Sequence, residues 1–186
     1  RFDGWLMWRG TERCVRRIQD RFQATAIDAH FLYPDGWAAT RIARRLKLPC
    51  AITIRGSKDE WLIGTDREPM LVDAMRSADR LIAVSEALKN NVAGKLGIAP
   101  EKVSVIGNGV DLAKFAPVDK AEARLRLGIP ADATVLIGVG NLVPLKGFQR
   151  VIPLLPALRE RHPNLLYLIV GGGAAQGDMR PELEAL

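Results

Sequence analysis

The sequence predicts an α/β protein in which parallel sheets are covered by helices on both faces. Apolar runs of about five to seven residues recur along the 186-residue chain, and runs of this length are typical of strands buried on both faces. Segments with apolar residues at helical spacing separate these runs. Such regular alternation of strand and helix indicates parallel sheets with helical connections.

The elements follow one another in a regular order. The first part of the chain predicts helices at 9–22, 37–47, 68–78 and 86–96, and strands at 25–31, 50–54, 80–84 and 102–106. Turns are predicted at 34–36 and 108–109, where proline fixes φ or glycine permits a positive φ. The remainder predicts strands at 133–139 and 165–171, a helix at 147–161 and a last helix that begins near Pro181.

A change of composition divides the chain. Pro117 and Pro130 bracket a short charged helix, AEARLRLG, and a charged segment bounded by prolines is typical of a linker. We therefore predict an N-terminal domain at 1–111, a linker at 112–131 and the first part of a second domain at 132–186. The second domain is expected to be incomplete.

The net charge of +6 is concentrated near the N-terminus. Residues 1–60 contain 12 basic and 7 acidic residues, whereas residues 131–186 contain 5 of each. Two helically spaced clusters supply most of the excess: Arg9, Arg13, Arg16, Arg17 and Arg21, then Arg41, Arg44, Arg45 and Lys47. They form either a solvated helix face or a surface attracted to anionic lipid, which would gain about 1 kcal/mol per basic residue. Nucleic acid is not expected as a partner, because helix-turn-helix and zinc-finger patterns do not occur.

Composition and motifs exclude several classes of protein. Two cysteines and two histidines exclude a disulfide scaffold and a His-rich metal site, and no metal is expected. No apolar run approaches the roughly 18 residues of a membrane-spanning helix. The sequences G-x-S-x-G, H-E-x-x-H and C-x-x-C do not occur, so serine hydrolase, zincin and thiol redox functions have no support. The chain starts without methionine and ends inside a predicted helix, so we expect it to be truncated at both ends.

Candidate site residues lie at the carboxyl ends of the predicted strands, where parallel sheets bind their ligands. His30 ends one strand just before the turn that contains Gly36, and it is either structural or functional. Arg55 ends the next strand and precedes Gly56. An arginine beside a glycine turn suits an anion, because the guanidinium forks onto phosphate or carboxylate while glycine lets the backbone come close. The alternative is a surface arginine that caps the sheet.

A second candidate site follows the strand at 133–139. Gly140 and Asn141 end this strand, and Lys146 leads into the next helix, which together form a plausible phosphate cradle. The Walker spacing is absent. Gly171–Gly173 resembles a weak dinucleotide loop, so a nucleotide-dependent oxidoreductase stays open as an alternative.

Six segments occur in an order that resembles a known family. They are DAHFLYPDGWAA (28–39), TIRGS (53–57), ADRLIAVSEALK (78–89), KVSVIGNGVDLAKFAP (102–117), VLIGVGNLVPLKG (135–147) and YLIVGGG (167–173). The set is similar to retaining glycosyltransferases of the GT-B fold, family 4 (glycosyl transferases group 1), over residues 24–186. The most specific part is N-G-V-D-x-x-x-F-x-P followed by V-G-N-L-x-x-x-K-G.

The resemblance implies two Rossmann-like domains, the first binding an acceptor and the second a nucleotide-sugar donor. Lys146 matches the lysine that contacts the donor diphosphate in this family. Gly140 and Asn141 match neighbouring positions of the same phosphate site, and relatives often have arginine at the position of Asn141. His30 is the candidate catalytic residue on the acceptor side, and Gly36, Arg55 and Gly56 match acceptor-side loops. The resemblance further implies sugar transfer with retention and no cofactor apart from the nucleotide-diphosphate sugar as substrate.

Two departures from the family pattern qualify this expectation. Lys58 stands where relatives often have the aspartate of R-G-S-D, and the acid follows at Asp59. The E-x7-E element of the second domain, which contacts the donor in the family, does not occur within residues 132–186. The 186 residues alone are therefore expected to be inactive, and a non-catalytic relative that serves as a binding or interaction module is the alternative function.

The resemblance also implies partners and a location. The acceptor would be a saccharide, a lipid-linked acceptor or a polymer, as in the synthesis of a cell envelope polysaccharide. The expected location is cytoplasmic, with peripheral association at the inner face of an anionic membrane favoured by the basic N-terminal part.

Overall fold

The computed structural model describes residues 2–174 and 177–186. It divides the chain into two compact units, Arg1–Val110 (unit 1) and Asp111–Leu186 (unit 2). Unit 1 contains a four-stranded sheet and unit 2 a two-stranded sheet, and every pairing within them is parallel. The predicted α/β architecture with parallel sheets is therefore confirmed.

Unit 1 alternates helices and strands as the apolar pattern predicts. Its elements are α1 (Asp3–Phe22), β1 (Ile27–His30), α2 (Trp37–Leu46), β2 (Cys50–Ile54), α3 (Ser57–Glu60), α4 (Glu68–Ser77), β3 (Arg80–Ala83), α5 (Glu86–Lys95) and β4 (Val103–Val105). The strands lie in the order β1-β2-β3-β4. Chain order thus equals spatial order. Because the strands are parallel, the carboxyl ends of all four lie at one edge of the sheet.

Burial in unit 1 is heaviest on one face of the sheet. Ala29, Ile52, Leu81 and Val103 lie in register across the four strands, and none is more than 7% exposed. The core of this unit also takes in the fully buried Leu71 of α4. Removal of this apolar surface from water is the main term that stabilises unit 1.

The first helix begins six residues earlier than the predicted 9–22, because of a tertiary contact. Gly4 lies in its first turn against the ring of Tyr33, and its backbone N–H donates to the Tyr33 hydroxyl at 3.0 Å. An added Cβ at Gly4 would lie 2.7 Å from the Tyr33 ring, so only glycine fits without a shift. At 20 residues α1 is long, but none of the described helices combines the length and apolar character needed to cross a bilayer.

The two predicted turns of unit 1 differ from the sequence-based expectation. The turn at 34–36 is part of a tight, non-helical turn, Leu32–Gly36, in which Tyr33 is extended, the Tyr33–Pro34 peptide is cis and the N–H of Gly36 donates to the carbonyl of Phe31 at 3.1 Å. At 108–109 no regular turn forms, and Asn108 instead uses its side chain to contact the end of β2. The predicted strand at 25–31 is also shorter, since β1 covers only Ile27–His30.

Unit 2 is built around one pair of strands. Its elements are α6 (Lys120–Leu127), β5 (Thr134–Val139), α7 (Phe148–Val151), α8 (Leu155–Arg161), β6 (Leu165–Val170) and α9 (Arg180–Glu184). The helix inside the predicted linker is capped by Asp119, whose carboxylate accepts from two backbone N–H groups, and it ends at Gly128 with φ +65°. Arg124 of α6 donates to the carbonyl of Ala133 at 2.7 Å, which ties α6 to the start of β5.

The prediction of one continuous helix at 147–161 was wrong, because the helix is interrupted. α7 is followed by a 3-10 turn, Ile152–Leu154, before α8 begins. Pro153 and Pro156 fall at this junction, and a proline has no N–H to donate and clashes with the preceding helical turn.

Candidate functional site

Four polar side chains meet at the strand ends of unit 1. The Arg55 guanidinium lies 3.0 Å from Nδ1 of His30 and donates to Oδ1 of Asn108 at 2.9 Å. On the other side of the imidazole, Nε2 of His30 lies 3.3 Å from a carboxylate oxygen of Asp28. The sheet therefore brings residues from β1, from the end of β2 and from the segment after β4 into one cluster, in which Arg55 makes the two hydrogen bonds and Asp28 lies beside the imidazole.

The donor and acceptor roles in this cluster follow from arginine chemistry. A guanidinium has only donors, so Nδ1 of His30 must accept from Arg55. In the neutral imidazole Nε2 then carries the proton and faces the Asp28 carboxylate. Both nitrogens of His30 are thus engaged, and both hydrogen-bond partners of Arg55 are neutral groups. The structure brings His30 and Arg55 together, as the strand-end rule anticipates.

Asp59 anchors the turn beside this cluster. It is fully buried, and its carboxylate accepts from the backbone N–H of Leu32 at 2.8 Å. Burial raises the pKa of Asp59 to about 6, although hydrogen bonds from the backbone of Leu32 and Tyr33 act in the opposite direction. The acid that follows Lys58 therefore belongs to the core, where it fixes the Leu32–Gly36 turn.

Lys58 remains on the surface at the position where the family pattern often has an acid. Its side chain is exposed, and its ammonium lies 5.4 Å from the centroid of the Phe31 ring. A positive charge therefore stands three residues after Arg55, where the family pattern often has an acid.

The two glycines predicted for the acceptor-side loops occupy different surroundings. Gly36 is buried, and a Cβ there would lie 2.8 Å from both the Ile52 side chain and the Phe31 carbonyl oxygen. Its small size therefore serves the packing of the turn on β2. Gly56 has no atom within 4 Å of an added Cβ, so its surroundings are open next to Arg55.

The residues of the predicted phosphate cradle lie beside one another in unit 2. The aliphatic stem of Lys146 runs along Gly140, because a Cβ at Gly140 would lie 3.1 Å from Cε of the lysine. The lysine lies in a 3-10 turn, Pro144–Lys146, and is exposed. Among the described residues its ammonium has no hydrogen bond or ion pair, so the charge is available to a ligand at the carboxyl end of β5.

One predicted part of the cradle needs correction. The N–H of Gly140 donates to the carbonyl of Val170 at 2.9 Å, so it belongs to the sheet and cannot also face a phosphate. Gly140 contributes space for the lysine stem instead. Asn141 is exposed beside it, which leaves its polar side chain and Lys146 as the groups that can meet an anion.

The glycines at Gly171–Gly173 have a packing role. A Cβ at Gly171 would collide with the carbonyl oxygen of Gly140, and one at Gly173 would lie 2.7 Å from the Asp178 side chain. The N–H of Leu142 also donates to the carbonyl of Gly172 at 2.8 Å. These contacts hold the end of β6 against the end of β5. Close packing therefore accounts for the three glycines, and no bound dinucleotide is needed to explain them.

The basic residues of α1 and α2 surround one acid. Arg45 donates to both carboxylate oxygens of Glu12 at 2.6 and 2.8 Å, and Arg16 donates to the same group at 3.2 Å. The hydrogen bond from Arg45 lowers the pKa of Glu12. A groove of about 430 Å³ is lined by these residues together with Arg9, Gly10 and Arg13.

Sequence reasoning did not assign roles to Asp28, Asn108 and Asp59. A signal existed for the first two: Asp28 shares a strand face with His30, and Asn108 follows the last strand of the sheet. No local signal distinguishes Asp59 from a surface acid, because its burial depends on a turn 27 residues away.

Comparison with known proteins identifies relatives by sequence. The model of Glycosyltransferase Family 4 matches residues 2–114. The chain is 40% identical over 109 residues to D-inositol 3-phosphate glycosyltransferase of Actinosynnema mirum, covering 56% of this chain and 26% of the relative. It is 39% identical over 134 residues to the enzyme of the same name from Thermobispora bispora, covering 70% of this chain and 31% of that relative. The chain thus spans about a quarter to a third of the length of these relatives.

Solved structures show the same fold. HepE of Anabaena in complex with UDP and glucose superimposes with a TM-score of 0.67 at 21% identity, covering 92% of this chain and 45% of HepE. UDP-GlcNAc 2-epimerase of Neisseria meningitidis bound to UDP-GlcNAc superimposes with a TM-score of 0.58 at 18% identity, covering 96% of this chain and 50% of the epimerase. Since the family model covers more than half of the residues, the chain belongs to Glycosyltransferase Family 4.

Proposed function

We propose that the protein transfers a sugar from a nucleotide-diphosphate donor to an acceptor with retention of configuration. Unit 2 would bind the donor and unit 1 the acceptor. The observation that carries the proposal is the ammonium of Lys146, which has no ion pair within residues 2–174 and 177–186 and lies along Gly140 beside Asn141 at the carboxyl end of β5. Family membership and the UDP complex of HepE support a nucleotide donor.

The chemistry of the leaving group explains why a lysine is needed there. Cleavage of the bond between sugar and diphosphate develops negative charge on the phosphate oxygens. A positioned cation stabilises that charge more than it stabilises the intact donor, which lowers the barrier to transfer. Lys146 would meet the diphosphate directly, and the side-chain amide of Asn141 would add a neutral hydrogen bond where relatives have a charged arginine.

Titration of the 186-residue chain with UDP tests the donor site. We expect Lys146→Ala to weaken binding by roughly 10- to 100-fold, the equivalent of about 1.5–3 kcal/mol for a hydrogen bond to a charged group. Lys120→Ala is the matched control, because this lysine is exposed in the same unit and lies outside the cradle. Calorimetry on the three proteins gives the affinities. Equal affinity for wild type and Lys146→Ala would refute the phosphate role.

We also propose that the enzyme works in the cytoplasm at the inner face of an anionic membrane, on a saccharide, lipid-linked or polymeric acceptor of the cell envelope. The solvent face of α1 supports this location. Phe2, just before the helix, is 71% exposed, and Trp5 and Leu6 in its first turns are 49% and 59% exposed. Arg13 and Arg17 are exposed further along the same face. Aromatic and basic residues on one amphipathic helix are typical of interfacial binding.

Liposome flotation tests this location. The chain should float with vesicles of phosphatidylcholine and phosphatidylglycerol and much less with phosphatidylcholine alone. Because each basic residue near an anionic surface contributes about 1 kcal/mol, the double variant Arg13→Gln, Arg17→Gln should reduce the bound fraction several-fold. Arg76→Gln, which removes an exposed charge from α4, should not. Equal flotation with neutral vesicles would contradict the proposal.

A further inference from the structure

The guanidinium of Arg55 is held by two side chains and forms no ion pair with an acid among the described residues. Its two hydrogen-bond partners are Nδ1 of His30 and Oδ1 of Asn108, and both are neutral acceptors. Other arginines of unit 1, such as Arg41 and Arg45, donate to carboxylates. The positive charge of Arg55 is therefore fixed in place but not neutralised by its direct contacts.

The surroundings of Arg55 add positive charge. Lys58 is exposed three residues further along the chain and forms no ion pair among the described residues, although its charge acts on the buried Asp59. The acid next to it, Asp59, is buried and engaged with Leu32. The remaining acid of the cluster, Asp28, lies on the Nε2 side of the imidazole, so the ring separates it from the guanidinium.

Arg55 also keeps donors for a ligand. A guanidinium has five N–H groups in a planar fork, and the contacts to His30 and Asn108 use two of them. Fork geometry matches the paired oxygens of phosphate and carboxylate. The open space at Gly56, where an added Cβ meets nothing within 4 Å, leaves room for such a group beside Arg55.

We propose that Arg55 recognises an anionic group of the acceptor, so that the acceptor is a saccharide that carries a phosphate or a carboxylate. His30 and Asn108 are positioning residues, which aim the guanidinium while leaving its charge intact. This inference rests on the proposed function, since it names the substrate class of the acceptor side.

Binding of simple sugars to the 186-residue chain tests the charge requirement. Glucose 6-phosphate, glucuronate and glucose are titrated separately and followed by amide NMR. We expect at least one anionic sugar to bind about tenfold more tightly than glucose, with shifts centred on residues 30, 31 and 53–56. The phosphate and carboxylate arms identify which anion the site prefers. Inorganic phosphate is titrated in parallel, and equal affinity for it would overturn the assignment to a saccharide.

Variants separate charge from architecture. Arg55→Gln should abolish the preference for the anionic sugar, whereas Arg76→Gln, an exposed arginine of the same unit, should keep it. Asn108→Ala should weaken anionic binding about three- to tenfold by freeing the guanidinium. Asn108→Asp can still accept from Arg55 but adds a negative charge, so it should weaken anionic binding more than Asn108→Ala does. A purely structural role predicts the opposite order.

The outcomes distinguish this inference from the proposed function. Equal binding of charged and neutral sugars, anionic binding that survives Arg55→Gln, or no saccharide binding up to about 10 mM would each overturn the inference. The Lys146-dependent binding of UDP is measured on the same samples. If it persists, the proposed donor function stands although the acceptor assignment has failed.

Discussion

The two units of the chain differ sharply in how much of their apolar surface they bury. The core cluster lies wholly in unit 1 and includes fully buried side chains from three of its strands and from α4. In unit 2, by contrast, β5 exposes Ile137 by 63% and Val139 by 70%, and Leu125 of α6 is 84% exposed. Both units contain parallel strands of similar apolar sequence, so strand sequence alone does not determine burial. Burial follows the number of strands and helices that pack together.

This contrast has a thermodynamic consequence. Apolar surface contributes to stability only when it leaves water, at about 25 cal/mol per Å². Unit 1 gains this term across a four-stranded sheet, while unit 2 gains it across two strands. The proposed acceptor side therefore lies on a well-packed scaffold, and the proposed donor cradle on a scarcely covered one.

Hydrogen exchange provides the largest expected difference between the units. Amides of β2 and β3 should exchange at least about 100-fold more slowly than those of β5 and β6, because local opening costs less where few apolar contacts are lost. Mass spectrometry or NMR on the 186-residue chain measures both sets in one sample. Equal protection in a chain shown to be monomeric by ultracentrifugation would contradict the comparison, whereas protection of unit 2 only in a dimer would show that a second copy covers it.

Asp59 offers a smaller effect, confined to unit 1 and dependent on pH. Its pKa is raised from 3.8 to about 6 by burial, so the folded state favours the protonated carboxyl. The resulting stabilisation is complete below pH 4 and is lost as the pH rises through about 6. Asp59→Asn keeps an acceptor for Leu32 and removes the charge, so it should exceed the wild type in unfolding free energy by roughly 2 kcal/mol at pH 8.

Urea unfolding at pH 4 and pH 8 measures this effect. The advantage of Asp59→Asn should shrink to about 0.5 kcal/mol or less at pH 4, where the wild-type carboxyl is already neutral. Asp66→Asn, which changes an exposed acid of the same unit, serves as the control and should match the wild type at both values. An advantage that does not depend on pH would show that the charge of Asp59 is not its cause.

The contact between α1 and the turn of unit 1 gives the third effect, which does not depend on pH. Gly4→Ala should cost about 1–3 kcal/mol, because its Cβ would lie 2.7 Å from the Tyr33 ring. Gly10→Ala in the same helix meets no atom within 4 Å and should stabilise α1 by about 0.5–1 kcal/mol. All four tryptophans lie in unit 1, so their fluorescence during unfolding reports on this unit. Equal stability of the two variants would remove the steric argument.

Much of the fold follows from local sequence patterns. The strand predicted at 50–54 coincides with Cys50–Ile54, and the helices predicted at 68–78 and 86–96 end one residue beyond those observed. Apolar runs bounded by glycine, proline and polar residues carry enough information because burial and turn chemistry act over a few residues. The break between α7 and α8 also had a local signal in Pro153 and Pro156, which the apolar periodicity masked.

The candidate sites were predictable only in part. The strand-end rule selects His30 and Arg55, and the glycine turn followed by a lysine and a helix start selects Lys146. It does not reveal that the N–H of Gly140 is already bound to Val170, or that Gly36 packs on Ile52 instead of lining a loop. Those facts depend on which strands become neighbours.

The sequence by itself therefore determined the alternation of strands and helices, the positions where ligands can bind and the excess of positive charge near the N-terminus. Only the tertiary structure decided which side chains share a site. Arg55 meets partners 25 and 53 residues away, and Asp59 meets its partner 27 residues away. The physical reason is that sheet pairing places distant strand ends side by side, and hydrogen bonds form between groups that are close in space, whatever their separation along the chain.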